Sequence, residues 1–226
     1  RMYAICDVAN EKGIGILIDA EETWIQDPID RLAIELMGVY NKEKVVVYNT
    51  YQLYRHDRLH FLKLSHKLAV EGNFLLGAKL VRGAYMEKER ARAIAEGYLD
   101  PIQPNKEATD RDYDLAIAYS AQEGVHLVCA THNEKSTLTL TEMMSQYQID
   151  PKSDLVYFSQ LYGMSDSISY NLASAGYRVV KYVPYGPVEK VMPYLSRRAA
   201  ENSSIAGQSS REFELVKKEM KRRRLG

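Results

Sequence analysis

The chain has few cysteines, no net charge and no long apolar run. Cys6 and Cys129 are the two cysteines in 226 residues; they stand far apart and in no CxxC or Cys/His ligand pattern. This argues against a disulfide framework and makes a reducing compartment the default. Lys plus Arg and Asp plus Glu each total 30. The balance gives no whole-protein reason to expect nucleic acid or strong membrane attraction. No apolar stretch approaches the roughly 18–20 residues of a spanning helix. No Ser/Gly/Pro-rich linker or low-complexity tract divides the chain, so residues 1–226 are expected to form one domain. Aromatic character rests on tyrosine, 17 of them against four Phe and one Trp. A tyrosine pairs an apolar ring with a hydrogen-bonding tip and so suits pockets as well as cores.

What is present is an alternation. Short apolar runs that turn polar or glycine-rich at their C-terminal ends predict strands within 14–22, 45–52, 76–84, 127–133, 155–163 and 177–186. Apolar residues at helical spacing predict helices over 29–40 and 56–70, and the same reading covers 111–123, 136–147, 165–175 and 188–200. Residues 1–12 read as the middle or end of a helix, with Gly13 as its stop, rather than as a secretory leader. Strands alternating with helices imply parallel strands joined by crossovers. Continuous runs such as VVVY fit a sheet buried on both faces.

Two architectures compete. A doubly wound sheet that binds a dinucleotide usually carries GxGxxG after its first strand, and none is present. A (β/α)8 barrel gathers its site from the C-terminal ends of many strands. Asp19, Asn49, Lys79, His132 and Tyr182 all stand at such ends, which favours the barrel. Six strands are visible where a closed barrel has eight. The expected fold is therefore a distorted TIM-type barrel with about six of its eight βα units in this chain, two further units being expected before Arg1.

Several motifs carry chemistry. In YLSRRAAEN, Tyr194, Arg197, Arg198 and Glu201 share one helical face. Two adjacent guanidinium groups suit a bound carboxylate. From spacing alone a solvated polar face stands slightly ahead, and the tyrosine-rich segment before it narrows that lead. In ATHNE, His132 and Asn133 follow an apolar strand. His132 could serve as acid, base or donor, while Asn133 is also a plausible N-cap for the next helix. KLVRGAY ends a strand with Lys79, Arg82 and Gly83. Glycine permits close backbone approach to a ligand, and the cations suit a phosphate or an electron-rich ring; a plain charged strand end is the blander reading. The carboxylates of IDAEE could pair with these cations or bind a metal, ion pairing being favoured. NTYQ puts Asn49 and Gln52 where amides fix a ligand's orientation. The basic tail ELVKKEMKRRRLG suits a helix C-terminus better than a membrane surface. From the residues alone the reading is a β/α-barrel enzyme for a small ligand with a carboxylate. A non-catalytic binding barrel stays open, and a hydrolase or aldolase using His132 and Lys79 lacks a matched nucleophile or metal set.

Taken together and in order, KLVRGAYMEKERA, ATHNE, QLYGMSD and KYVPYGPVEKVMPYLSRRAAENSS resemble proline dehydrogenase, above all its single-function form. The resemblance runs from about Ile14 to Ser204. It implies a distorted barrel that binds FAD at its strand ends and oxidises L-proline to pyrroline-5-carboxylate, with electrons passing to a membrane quinone. It places the protein on the cytoplasmic or mitochondrial-matrix side, with peripheral contact to the inner membrane as one option; no metal is expected, because no other His stands at ligand spacing to His132. It assigns Arg197 and Arg198 to the proline carboxylate, Tyr182 and Tyr194 to its ring, and Asp19 and Leu161 to the substrate pocket. It assigns Asn49, Lys79, Val81, Gly83, Ala84, Tyr85, Thr131, His132, Asn133 and Glu201 to the flavin. Asn49 replaces a glutamine, Lys79 an arginine and Met86 a tryptophan of bifunctional relatives, so bidentate geometry at Lys79 and stacking at Met86 are not carried over.

Overall fold

A computed structural model describes residues 1–189, 191–196 and 208–223. Along the chain the elements are α1 (Met2–Lys12), β1 (Ile16–Ile18), α2 (Thr23–Tyr40), β2 (Val47–Gln52), α3 (Arg58–Glu71), β3 (Gly77–Val81), α4 (Met86–Glu96), α5 (Lys106–Glu123), β4 (His126–Ala130), α6 (Glu134–Gln146), β5 (Val156–Leu161), α7 (Asp166–Ser174), β6 (Val179–Tyr182) and α8 (Gln208–Arg222). Residues 188–189 and 191–196 are also helical. Every expected strand is present in shorter form. α2 starts at Thr23 rather than 29, and α5 at Lys106 rather than 111. The α5 start is earlier because its first turn is polar and carries no apolar periodicity, whereas α2 takes in Trp24, Ile25 and Pro28 ahead of the apolar repeat.

Local chemistry explains several ends. Gly13 takes φ 67 after α1, a conformation open to glycine at little cost. The Asn105 and Asn133 side chains accept hydrogen bonds from the amides of Ala108 and Ser136, capping α5 and α6. The expected cap at Asn133 is therefore formed.

The strands lie in the order β1-β2-β3-β4-β5-β6, and every neighbouring pair is parallel. A doubly wound sheet reverses its strand order; this one does not. It is a curled, open sheet of the distorted, partial (β/α)8 type.

Register separates the faces, because partner residues of parallel strands share a face. Val47, Tyr51, Ala78, Leu80, Leu127, Cys129, Val156 and Phe158 point one way, into the core beneath the helices. Thr50, Lys79, Val128, Tyr157, Leu161 and Tyr182 point to the opposite, concave face. All C-terminal strand ends come to one rim. No helix among the described residues is long and apolar enough to cross a membrane.

Candidate active site

The concave rim begins at Asp19. Ile18 pairs with Asn49, so Asp19 comes level with Thr50, and Thr50 pairs with Lys79. The Lys79 ammonium closes this row on the Asp19 carboxylate. The lysine side chain is 14 % exposed and the aspartate 53 %. The same ammonium lies 5.9 Å from the centre of the Tyr182 ring, within the range of a cation–π contact. Tyr182 lies 6.0 Å, centre to centre, from the tilted ring of Tyr194. Leu161 is the register partner of Tyr182. Burial, then the Asp19 charge, pushes the Tyr182 hydroxyl above its ordinary pKa. Asp19, Lys79, Tyr182 and Tyr194 thus form one connected set of acid, cation and two rings.

The end of β3 is more heavily braced. Arg82 donates to Asp110 (2.6 Å), Thr131 (2.7 Å) and Ser136 (2.9 Å), and its guanidinium lies 4.3 Å from the Tyr113 ring centre. It ties β3 to α5, to the end of β4 and to α6. Gly83 has φ 135, and a Cβ there would stand 2.3 Å from the Tyr54 ring. Its missing side chain admits that ring. Ala84 is exposed and Val81 half-buried on the concave face. The Tyr85 hydroxyl donates to Glu21 at 2.6 Å. The carboxylates of IDAEE engage α4 and β3: Asp19 with Lys79, Glu21 with Tyr85, Glu22 with Lys88.

At the end of β4, Thr131 accepts from Arg82 and from the Asn133 amide. The His132 Nδ1 lies 2.9 Å from the Ser165 hydroxyl. Ser165 is buried and holds a left-handed backbone, φ 52, an arrangement that stores strain.

Asn49 lies on the helix-covered face and is fully buried. Its Nδ2 donates to Asp30 at 2.8 Å. Asp30 also accepts from Gln26 (2.9 Å) and from Arg58 (2.7 Å). Arg58 pairs in addition with Asp57. Burial pushes the Asp57 carboxyl up, but Arg58 and Arg55 hold it below its ordinary value. Asn49 therefore anchors the β2 end to α2 and α3.

Arg197, Arg198 and Glu201 lie outside the described residues. Two contributors, and the partners of a third, were not legible in the sequence. Arg82 was visible as a strand-end cation, but its partners lie on α5 and α6. Ser165 and Asp30 gave no signal, because each acts through a residue distant in the chain.

Residues 1–211 match the family model described as proline dehydrogenase. The chain belongs to the proline dehydrogenase family. The match exceeds the stretch from 14 to 204 that the motifs had marked. The chain is 44 % identical over 228 residues to human "Proline dehydrogenase 1, mitochondrial", covering 99 % of this chain and 38 % of that protein. It is 43 % identical over 230 residues to the Caenorhabditis elegans protein of the same name, covering 99 % and 37 %. The Xenopus laevis "Hydroxyproline dehydrogenase" is 39 % identical over 229 residues, with 99 % and 49 % covered. The chain thus spans less than two-fifths of the first two relatives. Among solved structures, proline utilization A from Bdellovibrio bacteriovorus superposes with a TM-score of 0.83 at 25 % identity, over 90 % of this chain and 21 % of that one. The family's fold and this open parallel sheet agree.

Proposed function

We propose that this chain carries the flavin and substrate site of a proline dehydrogenase, which oxidises L-proline to pyrroline-5-carboxylate. The single observation that carries the reading is the connected set of Asp19, Lys79, Tyr182 and Tyr194 at the concave rim. It unites residues assigned to substrate with one assigned to the cofactor, in a chain whose family match covers residues 1–211.

The donor chemistry fits a flavin. Lys79 offers a cation on the concave face, and a cation near the ring tunes a flavin's electronics. Val81, Gly83, Ala84 and Tyr85 at the end of β3, and Thr131, His132 and Asn133 at the end of β4, would line the rest. Glu201 would complete the set, and Asn49 would hold the β2 end beneath it. FAD, when bound, would supply the two-electron acceptor for a hydride from the ring carbon beside the proline nitrogen, whose N–H proton would go to solvent as C=N forms. Tyr182 and Tyr194 would pack the pyrrolidine ring, and Asp19 and Leu161 would close the pocket. Arg197 and Arg198 would grip the carboxylate through paired N–H bonds. Orientation does most of the work of these side chains.

The same reading makes residues 1–226 one barrel domain, whose described residues hold six parallel strands of the eight that a closed barrel has. It sends the electrons to a membrane quinone and places the protein on the cytoplasmic or mitochondrial-matrix side, in keeping with the word "mitochondrial" in its relatives' names. The open sheet favours a second reading, in which the chain by itself binds its ligands without turnover.

Absorbance of the purified protein tests the first reading. A flavin band that bleaches on adding L-proline without an electron acceptor is expected, and Arg197→Ala should raise KM strongly with flavin retained. A flavin-free protein with no proline oxidation would overturn it. A flavin band that proline leaves unchanged would favour the second.

A further inference from the structure

The geometry points to Glu89 as a positioning residue that sets where Asp19 stands, an inference that rests on the proposed proline site. Glu89 lies in the first turn of α4 and is fully buried. A buried carboxylate needs strong partners, and both come from one distant residue. The Thr23 amide donates to Oε1 at 2.7 Å, and the Thr23 hydroxyl donates to Oε2 at 2.6 Å. Thr23 is the first residue of α2, whose N-cap position, Glu22, makes no side-chain capping bond. The amides of a first helical turn lack partners within the helix. Glu89 supplies one from 66 residues away, and a negative charge suits that end of the helix.

The contact is one of a series. Tyr85 meets Glu21, Lys88 meets Glu22, and Glu89 meets Thr23. Lys88 and Arg92 then lie 5.4 Å and 4.6 Å from the Trp24 ring centre. The start of α4 and residues 21–24 therefore run side by side, joined at each step. Gln52 donates to the Glu21 carbonyl at 2.8 Å, holding the same turn onto the end of β2. Asp19 stands at the head of this turn. Glu89 touches neither Asp19 nor Lys79; it would act on the site by fixing the turn that presents Asp19.

Trp24 is the sole tryptophan and adjoins Thr23, so its emission reports the clamp directly. In the full chain, Glu89→Ala should shift Trp24 emission and raise its quenching by acrylamide. It should also raise the proline KM about tenfold with bound flavin unchanged. In the double variant with Asp19→Ala, KM should rise by much less than the product of the two single rises, because both act on one group. Glu87→Ala, an exposed neighbour in the same turn, should change none of these. Should Glu89→Ala fail to fold, Thr23→Val removes one of the two bonds at nearly constant volume, and the same fluorescence shift and the same non-multiplying KM change are expected. Unaltered Trp24 emission, or KM effects that multiply fully with Asp19→Ala, would overturn the inference. If the parent protein holds no flavin and oxidises no proline, the proposed function falls; Trp24 emission still decides whether Glu89 holds the turn.

Discussion

Lys79 reaches over β2 to pair with Asp19, so an acid from the end of β1 and a cation from β3 meet above Thr50. The register that aligns the three strands makes this pairing possible. The pair is partly solvated, with Asp19 53 % exposed. A pair of this kind contributes at most about 1 kcal/mol to stability.

The first prediction follows from that small value. Lys79→Met and Asp19→Asn should each lower the melting temperature by no more than about 2–4 °C. Lys79→Met should also lower the flavin content of the purified protein, and Asp19→Asn should raise the proline KM. Thermal melts beside absorbance ratios and steady-state kinetics check this. A large loss of stability would make the pair structural instead.

The Asp30–Arg58 pair is expected to behave in the opposite way. Its side chains are 6 % and 7 % exposed, and Asp30 also receives Gln26 and Asn49. Asp30→Ala leaves a buried guanidinium with Asp57 alone and two amides without their acceptor. The expected loss is about 3–5 kcal/mol, read as a fall in the urea midpoint. A midpoint within error of the parent would show that Asp57 suffices.

Gly83→Ala combines two penalties. Its φ of 135 is rarely adopted by L side chains, and the new Cβ would meet the Tyr54 ring at 2.3 Å. A cost of at least about 1–3 kcal/mol is expected from the backbone alone. Adding Tyr54→Ala should restore none of that backbone share, because the second change makes room but leaves φ as it is. Denaturant titration of the single and double variants separates the two contributions.

Alkaline pH should destabilise the fold. Burial pushes the Cys129 thiol up from 9.0 to about 11 and raises the Tyr48, Tyr51, Tyr54 and Tyr113 hydroxyls as well. A group raised in the folded state adds stability that is complete below its unfolded pKa and is lost as pH rises through its folded one. For Cys129 the loss should begin near pH 9.0 and continue through about 11. Melting temperatures across that range check it. Cys129 should also resist thiol reagents at pH 8 until the protein is unfolded.

The sequence by itself determined the kind of fold and the family. Continuous apolar runs spaced by helical patterns could be satisfied only by parallel strands under helices, and the absence of GxGxxG pointed away from a dinucleotide turn. Polar residues at successive strand ends placed a site at one rim, because parallel strands bring those ends together. Only the tertiary structure decided the partners. That Lys79 meets Asp19 depends on register across β2. That Arg82 braces α5 and α6, that Asn49 faces Asp30 beneath the sheet, and that Gly83 admits a tyrosine ring all depend on contacts between segments far apart in the chain. Periodicity reports which face of an element is apolar; it carries no information about which distant side chain will satisfy a buried charge. Glu89 shows this most plainly, since its spacing reads as one more acidic residue in a charged helix, and its burial against Thr23 arises only when the start of α4 folds back against the start of α2.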